Sequence, residues 1–503
     1  MPSSLEILVF LPILAALAIG FGAPARFTAI GAAIINLGIG LVAAKSYNVN
    51  IEGGAVFQLE SSRVLLESPK LALAFGVDGM SLILMLLTVI VTLAAVWASP
   101  AESKIKGSPK LYYISSLLIA AGALGAFLST DLFFLYAFHE LALIPTFLMI
   151  GMYGHGKNRK RTAWTITIYL GVGSLILLAG LIALFVNIGQ NDTFSIAEMI
   201  VRAQDSETMI PEATQSWIYL LLLVGFGVLV SLFPFHSWAP DAYADAPTPI
   251  SMLHAGVLKK FGLYGLIRIA GPMLPAGAEK WMNLVLVLLL GNIIILGLVT
   301  IAQKRLDRMI GMSSVMHMGY VFLGVVAGGT IGISGAVLLM FAHGVSIALL
   351  FALAGSLRER FGSLEFDKLG GGLGKLVPKL GLLFGFAAFA SIGLPGFANF
   401  AAEVMIFFGA FQPMEANAPL SFLQWAAIIS LWGVVISAVY MLRAFRKIFK
   451  GPLTTTETPK DMSWNERVPA LLLIVSLMLV GFYPEILLKY LRPALESLTL
   501  IGS

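Results

Sequence analysis

Ionisable residues inside long apolar runs are the part of this sequence that could carry out chemistry. Glu140 lies in one such run, Lys259 and Lys260 share another, and Glu403 lies in a third. A charge at membrane depth costs roughly 3 kcal/mol on insertion scales, so these residues are functional candidates by default. The pattern predicts proton transfer, and the alternative is neutral, hydrogen-bonded side chains. His139 is adjacent to Glu140 and about 100° around a helix from it, which favours a packing or supporting role.

The two consecutive lysines cannot lie on one face of a helix. We expect one of Lys259 and Lys260 to point into the protein interior and the other to adapt, with its alternative position at the lipid headgroups. His254 lies earlier in the same run. It is either a proton carrier on the access side or a satisfied polar residue.

Two histidines have hydroxyl-bearing residues at helical spacing. His317 follows Ser313 and Ser314, and His343 precedes Ser346. Imidazoles beside hydroxyl groups suit a water-filled proton chain, although each also suits a hydrogen-bonded core. Their presence on adjacent predicted helices favours a relay.

Two prolines are predicted to interrupt helices. Pro395 lies in a Gly-Leu-Pro-Gly run before Glu403, and Pro234 precedes His236 near the end of another apolar run. Backbone groups freed by a break at membrane depth must be satisfied by protein or by water in a cavity. Broken helices at matching positions of two halves indicate a transport site, whereas each proline alone could be a packing kink.

The helices that must position these residues are predicted from the apolar runs. The chain has 503 residues, of which 58% are hydrophobic and only 12% charged. Apolar stretches of about 20 residues span a bilayer. We predict an all-α integral membrane protein of about fourteen transmembrane helices, near 5–22, 27–45, 80–98, 111–129, 131–152, 162–188, 216–235, 248–270, 282–302, 309–328, 331–356, 380–411, 421–442 and 466–491.

Lysine and arginine divide the connections into two sets. Loops after odd-numbered helices are basic, whereas 189–215, after helix 6, holds five acidic residues and Arg202 alone. Basic loops stay in the cytoplasm, so both termini are predicted outside, on the periplasmic side of a bacterial inner membrane. Segment 195–204 is predicted to form a short surface helix.

Several cofactor classes lack their sequence signals. Cysteine is absent, which excludes disulfides and thiolate-bound metal or iron–sulfur clusters in this chain. No nucleotide-binding or haem-attachment motif is present, and the polar stretches 46–79 and 189–215 are too short for a soluble domain. We therefore predict no cofactor or metal in this chain. The net charge of +5 reflects the cytoplasmic loops and predicts no nucleic-acid partner.

Several strings resemble the antiporter-like membrane subunits of respiratory complex I, the NADH:quinone oxidoreductase, and chain M most closely. These strings, in order along roughly 110–410, are Phe138–Pro145, Pro234–Ala242, Ala246–Thr248, Ala255–Gly265, Ser313–Gly319 and Gly393–Phe400. The resemblance implies N-terminal helices 1–3 (1–110), two inverted five-helix repeats with broken helices 7 and 12 (helices 4–8, 111–270, and helices 9–13, 282–450), and a C-terminal helix 14 (466–503).

The resemblance also implies the function. Quinone reduction elsewhere in the parent complex would drive proton translocation through Glu140, Lys260 and Glu403, with His317 and His343 linking them. The chain would be a subunit of a translocating oxidoreductase and hold no redox centre itself. NADH, FMN, iron–sulfur clusters and quinone would belong to the parent complex, and the partners would be other membrane-arm subunits and the lipid bilayer.

One departure from the family bears on this function. The helix 7 lysine that pairs with the helix 5 glutamate in the family is replaced by Leu229, and Lys259 is a hypothetical substitute. His139 stands where the family usually has another residue, often tryptophan, and His254 is atypical of chain M. The alternatives are a subunit of a multisubunit cation/proton antiporter or membrane-bound hydrogenase, or a non-pumping structural paralogue. The ion, H⁺ or Na⁺, stays open.

Overall fold

The structure, a computed structural model, describes residues 3–49, 57–412, 419–453 and 459–500. Within them, eleven helices are long and apolar enough to cross a membrane. They are Ala25–Ser46 (helix 2), Gly79–Trp97 (helix 3), Pro109–Leu128 (helix 4), Leu132–Tyr153 (helix 5), Arg159–Asn187 (helix 6), Glu212–Val230 (helix 7), Pro275–Ile301 (helix 9), Leu306–Ala327 (helix 10), Gly329–Phe361 (helix 11), Phe422–Phe449 (helix 13) and Trp464–Phe482 (helix 14).

Three shorter or interrupted elements bring the number of spans to the predicted fourteen. Helix 1 is Ser4–Gly20, and helix 12 consists of Pro378–Ile392 and Ala398–Gly409 on either side of Pro395. Helix 8 is divided into Thr248–Leu253, Lys260–Gly265 and Gly271–Met273, separated by the π-helical turns His254–Leu258 and Leu266–Ala270.

Helix 7 is broken as well, as the proline predicts. It ends at Val230, and Ser231 has left-handed backbone dihedrals. After a turn that contains Pro234, the chain resumes in the short helix Trp238–Asp245. Trp238 Nε1 donates a hydrogen bond to Val228 O across the break (3.1 Å), which fixes the two parts together.

A β-hairpin is the main element that the all-α expectation missed. Strand β1, Gln58–Glu67, pairs antiparallel with β2, Lys70–Val77. Residues 71–77 of β2 are all apolar or glycine, so the strand lacks the alternation of polar and apolar residues that would have marked it. The C-terminal expectation also needs correction, because the predicted single helix 466–491 is divided into Trp464–Phe482 and Glu485–Leu500. The predicted surface helix is present as Ile196–Gln204.

The connections gather at two opposite ends of the bundle. At one end, the hairpin after helix 2 bonds to the loops after helices 4 and 6, through Thr130 N to Ala74 O (3.1 Å) and Lys70 N to Asp192 O (2.7 Å). At the other end, loops after odd helices meet, through His155 N to Asp245 O (2.8 Å) and Leu306 N to Leu364 O (2.9 Å). The basic loops therefore share one face, as the alternation of charge predicts.

Helices 3 and 11 lie at the centre of the bundle. In the most apolar 18-residue stretch of each of these helices, 94% is buried, compared with 39% in helices 2 and 6. Helix 8 packs against helices 3, 4, 5, 7 and 11. Residues on helix 8 are consequently enclosed on every side, which decides the environment of its lysines.

Candidate functional site

Both helix 8 lysines are buried, Lys259 with 1% and Lys260 with 0% of its surface exposed. The expectation that only one would face the interior is wrong. Helix 8 is surrounded by other helices, so two side chains about 100° apart both point into protein. Two buried amines at this depth need polar partners.

Lys260 finds its partners through the first π-helical turn. Its Nζ lies 2.6 Å from Ala255 O and 2.9 Å from His343 Nδ1. The wider turn, closed by Lys259 N to His254 O (3.0 Å), brings the lysine side chain back onto a carbonyl of its own helix. Lys260 therefore joins helix 8 to helix 11 through an amine–imidazole contact.

Lys259 points in another direction. Its Nζ lies 3.5 Å from Ser314 Oγ of helix 10 and 5.7 Å from the centre of the Tyr243 ring. The Tyr243 hydroxyl lies 3.4 Å from His254 Nδ1. Lys259 and His254 are thus two neighbours of one buried tyrosine at the end of the helix 7 break.

His317 and His343 lie side by side on helices 10 and 11, with ring centres 5.6 Å apart. His317 Nδ1 lies 2.8 Å from Ser313 O and its Nε2 lies 3.0 Å from Ser391 O. Both ring nitrogens therefore face backbone carbonyl groups, and Ser313 Oγ also lies 3.4 Å from Nδ1. Ser391 is near the end of the first part of helix 12, so His317 contacts that helix close to its break.

Glu403 is buried in the second part of helix 12, against the break. A Cβ atom at Gly393 would lie 2.6 Å from Glu403 Oε2, and Gly393 has a φ of +80°. Glycine is therefore required here on two grounds, the backbone conformation and the space taken by the carboxylate. On the same helix, Asn399 Nδ2 lies 3.5 Å from Ser346 Oγ of helix 11.

Glu140 lies at the other side of the molecule, where helices 5 and 6 border a groove of about 190 Å³. Its side chain is 36% exposed at the surface of this chain. Ser174 Oγ of helix 6 donates a hydrogen bond to its Oε1, and Ser174 also lies 3.1 Å from the Tyr136 hydroxyl. Among the described residues, His139 is the only basic group within ion-pair distance of Glu140, with Nδ1 3.5 Å from Oε1.

The hypothesis that Lys259 replaces the helix 7 cation beside Glu140 is not supported. Lys259 contacts Ser314 and Tyr243, and the buried Leu229 offers no charge on helix 7. His236, in the helix 7 break, stacks on Phe233 with ring centres 5.7 Å apart. The predicted residues therefore fall into three groups. One is peripheral, around Glu140, one is central, around Lys259 and Lys260, and the third is at Glu403.

Asn292 is a site residue that sequence reasoning missed. It is fully buried at the π-helical turn Gly291–Leu296 of helix 9. Its Oδ1 accepts from Phe233 N (2.7 Å), and its Nδ2 donates to Ser231 O (3.3 Å) and Val315 O (2.8 Å). The sequence could have indicated this residue, because Asn292 is a single polar amide inside a long apolar run.

The fold and these groups define an ion-conducting class of membrane protein, with two broken helices and buried lysine, histidine and carboxyl side chains. In the described part of the chain, no three histidine or acidic side chains gather to hold a metal ion. The chemistry that the arrangement supports is proton transfer between side chains.

Comparisons with known proteins agree with this class. The family described as NADH:quinone oxidoreductase/Mrp antiporter, transmembrane, matches residues 129–440. NAD(P)H-quinone oxidoreductase chain 4 2 of Trichodesmium erythraeum is 34% identical over 451 residues, which cover 88% of this chain and 78% of that protein. NADH-quinone oxidoreductase subunit M of Rhodobacter capsulatus is 32% identical over 432 residues, covering 84% and 81%.

Solved structures have the same fold. A chain of respiratory complex I from Thermus thermophilus matches with a TM-score of 0.87 and 28% identity, over 99% of both chains. The Mrp complex from Dietzia contains a chain with a TM-score of 0.81 at 20% identity, covering 99% of this chain and 98% of that one, which shows the fold alone. This chain belongs to the NADH:quinone oxidoreductase/Mrp antiporter transmembrane family, and the predicted resemblance is confirmed.

Proposed function

We propose that this chain is a proton-translocating membrane-arm subunit of an NADH:quinone oxidoreductase. Electron transfer from NADH to quinone would take place elsewhere in the parent complex, where NADH, FMN, iron–sulfur clusters and quinone belong. The observation that carries the proposal is the buried contact of Lys260 with His343, 2.9 Å long, beside a second imidazole, His317. A structural scaffold has no need of such groups at membrane depth.

The central pair can pass a proton without a change in net charge. A Lys260 ammonium donates to His343 Nδ1, and transfer leaves a neutral amine and an imidazolium. His343 Nε2 and Asn399 Oδ1 are buried without a hydrogen-bond partner among the described residues. Buried polar atoms of this kind are usually satisfied by internal water, which would extend the path toward Glu403.

The proposal is tested with the purified complex in liposomes, by measuring redox-driven proton uptake. We expect Glu140→Gln and Lys260→Met each to reduce pumping by on the order of a hundredfold, because each removes a proton-exchanging group. Lys45→Ala, at an exposed lysine near the end of helix 2, is the matched control and should pump like wild type. Wild-type pumping by both Glu140→Gln and Lys260→Met would leave only a structural role.

The antiporter alternative predicts a different activity. In that case the complex would exchange Na⁺ for H⁺ across liposomes without NADH, and quinone reduction would not drive it. The same liposomes therefore separate the two functions when an imposed Na⁺ gradient replaces the redox reaction. Use of Na⁺ in place of H⁺ would appear as NADH-driven Na⁺ uptake.

We infer that the basic loops face the cytoplasm of a bacterial inner membrane and that the hairpin end faces the periplasm. The arrangement of loops by face supports this, together with the positive-inside tendency. The chain has no cysteine, so single substitutions report sidedness directly. An impermeant maleimide should label Ser62→Cys from outside intact spheroplasts and leave Lys106→Cys unlabelled, and the opposite result would invert the orientation.

We also propose that helices 4–8 and 9–13 are inverted repeats that meet around the central lysines, and that other membrane-arm subunits cover the outer groove at Glu140. The two broken helices support the repeats, because each is the fourth helix of its set. The partial exposure of Glu140 supports the proposal that another subunit covers this groove, because a carboxyl group that faces lipid is unfavourable.

A further inference from the structure

His139 is a buried imidazole placed directly beside the peripheral carboxyl group. It is 4% exposed, and its Nδ1 lies 3.5 Å from Glu140 Oε1. Within the described residues that nitrogen has no hydrogen-bond partner. An unpartnered polar atom this deeply buried requires explanation, since burial without a hydrogen bond is unfavourable.

The ring of His139 is held in place by aromatic stacking. It lies parallel to Phe261, with ring centres 4.1 Å apart and an angle of 15° between the planes. Phe261 follows Lys260 on helix 8 and contacts Phe226 of helix 7 edge-on, with centres 5.9 Å apart. The imidazole is consequently fixed between the Glu140 carboxyl group and the helix that carries the lysines.

Charge also favours an exchange role for this imidazole. Leu229 of helix 7 is apolar and buried, and His139 alone approaches Glu140 within ion-pair distance in the described structure. Transfer of the carboxyl proton from Oε1 to Nδ1 converts a neutral pair into a carboxylate–imidazolium pair. The net charge of the pair does not change, so the transfer avoids placing an isolated charge in the membrane.

We propose that His139 is the proton-exchange partner of Glu140 and links this carboxyl group to the groups on helix 8. The inference rests on the proposed function and supplies the partner that helix 7 lacks. On the helix 8 side lies His254, whose Nε2 is buried without a hydrogen-bond partner in the described structure. The first π-helical turn, which begins with His254, packs against helix 5.

Two substitutions separate proton exchange from the other roles of the ring. His139→Phe retains a ring that can stack on Phe261 but cannot take a proton. His139→Gln retains a polar side chain but can neither stack as a ring nor exchange a proton. Met149→Leu, a buried change of similar volume on the same helix, is the control for packing.

We expect both His139 variants to lose redox-driven proton pumping by at least about tenfold, with assembly and uncoupled quinone reduction retained. The Met149→Leu control should pump normally. Normal pumping by either His139→Phe or His139→Gln would overturn the inference, because stacking or polarity alone would then suffice. If Glu140→Gln abolishes pumping while a His139 variant does not, the proposed function stands and only this inference fails.

Discussion

Lys260 and His343 form the central contact between two buried ionisable side chains, at 2.9 Å. Such a contact requires that the groups around it are held in position. Gly393, beside Glu403, shows how little space is available. Its φ of +80° is a conformation that residues with a Cβ rarely adopt, and the Glu403 carboxylate occupies the space where a side chain would begin.

Gly393→Ala should therefore displace Glu403 and disturb the helix 12 break. We expect a loss of stability of roughly 1–2 kcal/mol from the strained backbone, with proton pumping reduced more than quinone reduction. Thermal unfolding of the complex and pumping in liposomes measure the two effects. Gly31→Ala is the control, because nothing lies within 4 Å of its Cβ position. Unchanged pumping by Gly393→Ala would show that the position of Glu403 is not critical.

At this scale the sequence predicted the burial of ionisable residues better than it predicted their contacts. The cost of burying charge singled out Glu140, Lys260 and Glu403, and the structure places Lys260 and Glu403 in the interior. The sequence did not predict that His317 Nε2 would face Ser391 O. That contact depends on the relative positions of helices 10 and 12 along their axes.

Among the secondary structure elements, the breaks of helices 7 and 12 followed from proline, whereas the π-helical turns of helices 8 and 9 had no sequence signal that we recognised. Asn292 connects one such turn to the helix 7 break and to helix 10. Its single amide pairs with the Phe233 N–H and the Ser231 carbonyl at the helix 7 break, and also with the Val315 carbonyl of helix 10.

Asn292→Leu should destabilise the protein by about 2–4 kcal/mol, because the partly buried Phe233 N–H and the buried Ser231 carbonyl lose their partner. The midpoint of thermal unfolding measures the effect. Asn187→Leu, at an exposed position near the end of helix 6, should change it little. Equal effects of the two substitutions would mean that Asn292 does not support the break.

For the whole molecule, an ion pair between Asp78 and Arg268 joins two central helices at the hairpin end. Both side chains are at most 2% exposed. Asp78 precedes helix 3, Arg268 lies in the second π-helical turn of helix 8, and the Arg268 guanidinium lies 5.2 Å from the Phe57 ring. Nothing in the sequence indicated this pair, since the two residues are 190 positions apart.

Arg268→Met should lower the free energy of unfolding by about 3–5 kcal/mol, because Asp78 would be left buried and unpaired. Adding Asp78→Asn should restore part of the loss. Arg492→Met removes an exposed pair with Glu485 and should cost less than about 1 kcal/mol. Chemical unfolding of the detergent-solubilised chain gives these values. If Asp78→Asn fails to improve Arg268→Met, loss of packing rather than an unpaired charge explains the defect.

The order of the spans and the gathering of basic loops at one end could be predicted from the sequence because apolar length and loop charge are local properties. The central position of helices 3 and 11 could not, because their mean hydropathies of 2.5 and 2.3 are close to the 2.4 of helix 6 at the surface. Lipid and protein interiors are similarly apolar, so composition does not distinguish a buried helix from one facing lipid.

The first π-helical turn has a consequence for changes in chain length. A turn that holds one extra residue keeps Lys260 opposite His343 and Lys259 opposite Ser314. Removing a single codon within 254–258 would allow an ordinary α-helical turn to form. The segment after the turn would then keep its orientation, because the wider turn is what absorbs the extra residue. A one-residue deletion within the regular turn 248–253 would instead rotate one part of helix 8 against the other by about 100° and shift it by about 1.5 Å, and both amines would leave their partners.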